Sequence, residues 1–136
     1  MDRYSTAVWQ GSGKNGSGKL NSQSKTLDNT PYSYPTRFEN EPGTNPEELI
    51  AAAHAGCFTM QLTFNIDEAG FEASEINTKC TITLEDGAIS KSHLVVEATV
   101  PRIDQVKFEQ LVAHAEKNCP VSKLLQTEIS VESRLL

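Results

Sequence analysis

A chain of 136 residues falls in the single-domain range and can bury roughly two-thirds of the surface its unfolded form would expose. Its 12 basic and 18 acidic side chains give a formal net charge of -6, which argues against a nucleic-acid footprint or a polybasic membrane patch. With 38% hydrophobic residues, the composition is that of a globular chain, and residues 1–136 are expected to form one domain.

The amino terminus, Met1-Asp-Arg-Tyr-Ser-Thr, has neither the basic start nor the apolar stretch of a secretory signal. Next comes a polar segment, Gly11-Ser-Gly-Lys-Asn-Gly-Ser-Gly-Lys19, which formally contains G-x-G-x-x-G and almost a Walker A loop. The nucleotide reading fails on context: Leu20 stands where Ser or Thr should bind magnesium, no apolar strand enters the glycines and no helical pattern leaves them. A hairpin fits better, with Ala7-Val-Trp9 before the glycines, Leu20-Asn-Ser-Gln-Ser after them, and Asn15-Gly16 as its turn.

Tyr32 to Phe38 is expected to be extended, because Pro35 disfavours both helix and central-strand pairing. Asn45-Pro46-Glu47-Glu48 then has the grammar of a helix start, with Asn as N-cap, Pro at the first position and two acids at the positive end of the dipole. The spacing predicts a helix over 46–69, with Leu49, Ala53, Cys57, Met60 and Phe64 as its apolar stripe. The apolar run within it, Leu49 to Phe64, contains His54 and Gln61 and is shorter than a membrane span, so no membrane partner and a cytoplasmic location are expected.

Gly70 ends this helix, and two strands follow, Glu75–Leu84 and His93–Val100, with Asp86-Gly87 as turn chemistry between them. Asp104 opens a second amphipathic helix, with Val106, Leu111, Val112 and Ala115 at helical spacing. Pro120 starts a short third one over Val121 to Leu125. A last alternating strand covers Glu128 to Leu135. The order predicts an α+β fold with mostly antiparallel sheet.

Three cysteines in such a chain cannot all pair internally, and a reducing compartment keeps thiols free unless they cycle catalytically. Cys57 lies on the long helix, where it is a nucleophile, a metal ligand or a piece of core. His54, three residues earlier, is placed to hydrogen-bond its sulfur or to be a satisfied core histidine. No Cys-x-x-Cys pair occurs, and His93 and His114 add no ligand pattern, so no metal and no cofactor are expected. Cys119, before Pro120 at a helix start, sits where backbone donors favour a thiolate or a reactive disulfide partner, whereas Cys80 reads as an inert strand cysteine.

Thr36-Arg37-Phe38-Glu39, the run Gly43-Thr-Asn-Pro-Glu-Glu-Leu-Ile-Ala-Ala-Ala-His-Ala-Gly-Cys-Phe58, and Asn118-Cys-Pro-Val-Ser-Lys123 together resemble the osmotically inducible protein C family, which includes the organic hydroperoxide resistance proteins. The similarity runs from about Trp9 to Leu135, and the Thr-Arg-Phe and Cys-Pro-Val-Ser segments look more like the osmotically inducible branch. The resemblance implies a thiol-dependent peroxidase that reduces organic hydroperoxides, and hydrogen peroxide less well, to alcohols and water. It implies Cys57 as the peroxidatic thiol, Cys119 as the thiol that resolves its sulfenic acid into a disulfide, Arg37 as the guanidinium holding Cys57 as thiolate, and Glu47 as the carboxylate orienting Arg37. Cys80 matches no motif position.

The resemblance further implies an OsmC-like fold built as an intertwined homodimer, and a dithiol or lipoylated protein as reductant. Ten residues separate Glu47 from Cys57, roughly 15 Å along a helix, too far for that carboxylate to reach the sulfur of its own helix. Either Arg37 spans the gap or a second subunit supplies it. The competing reading is a non-catalytic dimeric binding protein for an apolar ligand, with Cys57 lining the pocket.

Overall fold

A computed structural model describes residues 1–136, which divide into two compact units, Met1–Leu49 and Ile50–Leu136. The first unit carries an antiparallel sheet in the order β1 (Ser5–Gln10), β2 (Ser17–Ser22), β3 (Thr30–Tyr32), followed by a short helix α1 (Tyr34–Phe38). The β1–β2 hairpin is present, but Gln10 pairs with Ser17, so residues 11–16 form the connection and Asn15-Gly16 is not a tight two-residue turn. Trp9 donates its indole N–H to the Ser12 carbonyl at 3.2 Å, and Gly16 donates its N–H to the same oxygen at 2.8 Å, which closes the loop on itself. Gly18 pairs with Tyr32 beneath the Trp9–Tyr32 edge-to-face contact, and any side chain there would collide with both rings.

Tyr34–Phe38 is helical rather than extended. Pro35 falls in the first turn, where its missing N–H costs nothing, and Ser33 caps the helix. The Ser33 hydroxyl accepts from the Thr36 N–H, and the Thr36 hydroxyl accepts from the Ser33 N–H at 2.7 Å. Thr36 thus plays the part that Glu or Gln plays in the commoner capping box.

The long helix α2 (Pro46–Glu68) starts as its sequence dictates, with Asn45 Oδ1 accepting the Glu48 N–H at 2.8 Å. The full helix, including the flanks of the apolar run, is long and apolar enough to cross a membrane by length and composition alone, a test that the core helix of a soluble protein also passes. Its buried face also differs from the predicted stripe: His54, Phe58, Leu62, Asn65 and Ile66 are buried, whereas Met60 and Phe64 are 63% and 56% exposed and Cys57 is half-buried. Apolar residues occur on both sides of α2, so hydrophobicity alone could not select the side that packs.

In the Ile50–Leu136 unit the sheet order is β4 (Glu75–Glu85), β5 (Ala88–Thr99), β6 (Glu128–Leu135), with β4–β5 antiparallel and β5–β6 parallel. Asp86 and Gly87 both take positive φ, 50° and 77°, the twist a tight hairpin needs, and this lets β5 begin at Ala88 rather than at His93. The parallel return to β6 runs through α3 (Gln105–Asn118) and α4 (Pro120–Leu124), as a parallel pair requires a crossover. Asp104 caps α3 through the Lys107 N–H at 2.8 Å. Phe108, Val112 and Ala115 form its buried face, and the predicted core residue Val106 is 65% exposed.

Phe58, Leu62 and Ile66 of α2 join Leu94, Val96 and Ala98 of β5 and the buried face of α3 in one core that also takes in Cys119. Side chains of the Leu, Val, Ile and Phe kind contribute about 1.5–3 kcal/mol each when fully buried, so this cluster fixes α2 and α4 around the cysteines.

Candidate active site

In the Met1–Leu49 unit, α1 presents Arg37 and the first turn of α2 presents Glu47. Arg37 Nη2 donates to Glu47 Oε1 at 2.6 Å, and Nε donates to both carboxylate oxygens at 3.1 and 3.2 Å. The planar fork of arginine fits a carboxylate in this way and lysine does not. Hydrogen bonding to the guanidinium holds Glu47 below the usual carboxylate range, and the same bond holds Arg37 further above neutrality. With the Arg37 side chain 39% exposed and Glu47 14% exposed, the pair is a partly solvated one whose value lies in orientation more than in stability.

In the Ile50–Leu136 unit, Cys57 on α2 and Cys119 at the start of α4 come together. All three cysteines are free thiols, with Cys119 buried among the core residues. Cys119 is the N-cap of α4, so its backbone is extended, Pro120 follows without an N–H, and the next two donors turn toward sulfur. The Ser122 N–H donates to Cys119 Sγ at 3.3 Å, and the Val121 N–H is directed at the Cys57 thiol. The Cys-Pro-Val-Ser helix start therefore offers a backbone hydrogen bond to Cys119, and its Val121 N–H favours the ionised form of Cys57.

Burial pushes the Cys57 thiol up from its ordinary value, the Val121 N–H pulls it down, and the neighbouring Cys119 pushes it up again through hydrogen bonding and charge. A thiolate at Cys57 near neutral pH therefore calls for a cation that outweighs burial.

His54 does not turn its ring to Cys57. Nδ1 lies 2.6 Å from Ser92 Oγ and Nε2 2.8 Å from Ser122 Oγ, both bonds fully buried. It is the satisfied core histidine of the two sequence alternatives, with burial lowering its pKa so that the ring is neutral. Ser122 Oγ also lies 3.1 Å from Cys119 Sγ, and Cys80 Sγ lies 3.3 Å from Ser92 Oγ. Ser92 and Ser122 escaped the sequence reading. Ser122 was reachable in principle, as the third helical residue after the Cys119 cap, but Ser92 stands 38 residues from His54 with no local signal.

An open groove of ≈ 510 Å³ along the outward side of α2 is lined by Ala55, Gly56, Thr59, Met60, Thr63, Phe64 and Thr78. Its lining is mostly apolar, and Thr59 bridges it to β4 by donating to Thr78 Oγ1 at 2.7 Å.

Comparison with known proteins places these features in context. The family described as OsmC-like protein matches residues 38–134. The chain is 43% identical over 133 residues to peroxiredoxin OsmC of Escherichia coli (strain K12), covering 95% of this chain and 93% of that protein. It is 32% identical over 100 residues to the organic hydroperoxide resistance protein OhrB of Bacillus subtilis (strain 168), covering 71% and 73%. Among solved structures, an OsmC-like protein from Mycoplasma pneumoniae shares the fold with a TM-score of 0.79 at 14% identity, covering 100% of this chain and 98% of that one. The OhrB structure from Bacillus subtilis aligns with a TM-score of 0.66 at 25% identity, covering 98% of both chains.

Proposed function

The chain belongs to the OsmC-like protein family, and on that premise we propose that it is a thiol-dependent peroxidase reducing organic hydroperoxides, and hydrogen peroxide less well, to alcohols and water. The observation that carries this reading is the packing of Cys57 beside Cys119 at the start of α4, where the Ser122 N–H donates to Cys119 Sγ. The relatives named peroxiredoxin and organic hydroperoxide resistance protein support the same chemistry.

In this reading the Cys57 thiolate attacks the distal oxygen of the hydroperoxide. The O–O bond breaks, an S–O bond forms, and the departing alkoxide takes up a proton to leave as alcohol, with Cys57 now a sulfenic acid. Cys119 then attacks the oxidised sulfur, so that an S–S bond forms, the S–O bond breaks and water leaves. A dithiol or lipoylated protein reduces the disulfide by exchange. Arg37 is the cation that holds Cys57 as thiolate and steadies the departing oxygen, and Glu47 fixes the plane of the guanidinium through the bidentate bond.

The working unit is a homodimer in which a second copy completes the site. The exposed Met60 and Phe64, and the small outward residues Ala52, Ala53 and Gly56, support close approach of helices from two chains.

The Cys119→Ser variant tests the assignment of roles. It is expected to consume one equivalent of cumene hydroperoxide per chain and then stop, with a sulfenic acid at Cys57 that dimedone traps. Continued turnover at the wild-type rate with a small dithiol as sole reductant would show that Cys119 resolves nothing.

A further inference from the structure

His54 is fully buried, and both of its ring nitrogens are bonded to hydroxyls. A core histidine that serves packing alone is commonly satisfied by carbonyls or carboxylates, which accept only. Serine hydroxyls accept and donate at once, so protons can pass along them. The bonds form one unbroken line: Cys119 Sγ, 3.1 Å to Ser122 Oγ, 2.8 Å to His54 Nε2, then from Nδ1 2.6 Å to Ser92 Oγ and 3.3 Å to Cys80 Sγ. One end of this line is the thiol that must lose a proton when the disulfide forms.

Resting on the peroxidase reading above, we propose that Ser122 and His54 form a proton relay that deprotonates Cys119 as it attacks oxidised Cys57. Ser122, which touches the reacting sulfur, is the catalytic member, and His54, acting through it, is the positioning residue and proton acceptor. In the productive arrangement His54 donates its Nδ1–H to Ser92 and accepts at Nε2 from the Ser122 hydroxyl, whose oxygen accepts from the Cys119 S–H. As the S–S bond forms, the thiol proton moves to Ser122 Oγ and the serine proton to His54 Nε2. The S–O bond of Cys57 breaks, and the released hydroxide leaves as water once the proton held on His54 balances it.

The Ser122 N–H, donating to Cys119 Sγ at 3.3 Å, steadies the thiolate while this happens. The groups facing the imidazole are Ser92 of β5, Ser122 of α4 and the Cys80 thiol of β4, of which Cys80 is the titratable one. Burial keeps the ring neutral at pH 7, the form a base needs.

The test separates the two chemical steps by stopped flow with one equivalent of cumene hydroperoxide, following sulfenic acid formation and then its conversion to disulfide. Ser122→Ala and His54→Gln are expected to slow disulfide formation about 10–100-fold at pH 7, far more than they slow sulfenic acid formation. In the wild type the resolving rate falls only as pH drops below the ordinary histidine value of about 6.5, where the base takes up a proton. In the variants it climbs with pH as solvent hydroxide takes over the removal of the proton, so the deficit narrows as pH rises. Ser122→Thr, which keeps the hydroxyl, retains most of the rate.

Wild-type rates and pH profiles in both variants overturn the relay, as does a loss that is equal at every pH, which marks damaged packing. Should His54→Gln fail to fold, Ser122→Ala carries the same test. A wild type that forms no sulfenic acid at Cys57 overturns the peroxidase reading and the relay with it, whereas normal oxidation with unaltered resolution in the variants overturns the relay alone.

Discussion

On the proposed mechanism, replacing Cys57 with serine is expected to reduce the consumption of cumene or t-butyl hydroperoxide to the uncatalysed background, a loss of about 10³-fold or more, the scale on which removing a nucleophile acts. The physical reason lies in the atom. Sulfur in the thiolate is polarisable, attacks peroxide oxygen and accepts it as a stable S–O bond, whereas a serine hydroxyl at neutral pH is un-ionised and has no oxidised state to offer. Serine is nearly isosteric, and Cys57 is only half-buried against the core, so the fold survives the change. Circular dichroism matching that of the wild type, alongside lost turnover, is the expected outcome. Multi-turnover activity in this variant at the wild-type rate would remove Cys57 from the mechanism.

The second large effect is expected at Arg37. Within the Ile50–Leu136 unit burial and Cys119 both push the Cys57 thiol up, with the Val121 N–H acting the other way. On the proposed mechanism the arginine reverses that balance. An opposite charge within reach lowers a pKa by roughly 1–3 units, and each unit below the thiol pKa changes the thiolate fraction about tenfold. Arg37→Ala is therefore expected to lower the rate of Cys57 oxidation about 10²-fold at pH 7 and to move the midpoint of its pH–rate profile upward. The deficit then narrows as pH rises, because solvent hydroxide does what the guanidinium no longer does.

Arg37→Lys separates charge from shape. Lysine keeps a cation but cannot fork onto Glu47, so it should recover part of the lost rate and leave the departing oxygen less well held. Identical pH–rate profiles in wild type, Arg37→Ala and Arg37→Lys would show that the guanidinium does not set the thiolate.

The parts of the fold legible in the sequence were those governed by local chemistry. Asn45-Pro46-Glu47 announced the start of α2, Asp104 the start of α3, Cys119-Pro120 the break before α4, and Asp86-Gly87 the hairpin between β4 and β5. Each depends on backbone donors or torsions within a few residues. Misreadings arose where local signals conflicted or tertiary packing decided. Pro35 argued for extension, yet proline is welcome in a first helical turn, and the Ser33–Thr36 pair supplied a cap. On α2 the stripe Leu49, Ala53, Cys57, Met60, Phe64 is regular but is not the buried one, because the packed side includes polar His54 and Asn65, whose partners come from elsewhere.

Asn65 donates to the Leu111 carbonyl at 3.1 Å, and His54 reaches Ser92 and Ser122 across 38 and 68 residues of chain. A polar residue on a buried face looks solvent-facing until those partners are known. The candidate site divides in the same way. The motif resemblance pointed to Cys57, Cys119, Arg37 and Glu47, and helix grammar to the N-cap position of Cys119. The hydroxyl chain behind Cys119 was not, since no spacing rule joins residues 54, 80, 92 and 122.

The central claim is that Cys57 and Cys119 are the two ends of one redox cycle. It is tested most directly by treating the reduced protein with one equivalent of cumene hydroperoxide, digesting it without reductant and measuring the masses of the linked peptides. The account predicts a single dominant cross-link between the peptides of Cys57 and Cys119, with Cys80 remaining a free thiol. A protein that emerges with all three thiols intact, or with Cys80 linked in place of either partner, would contradict it.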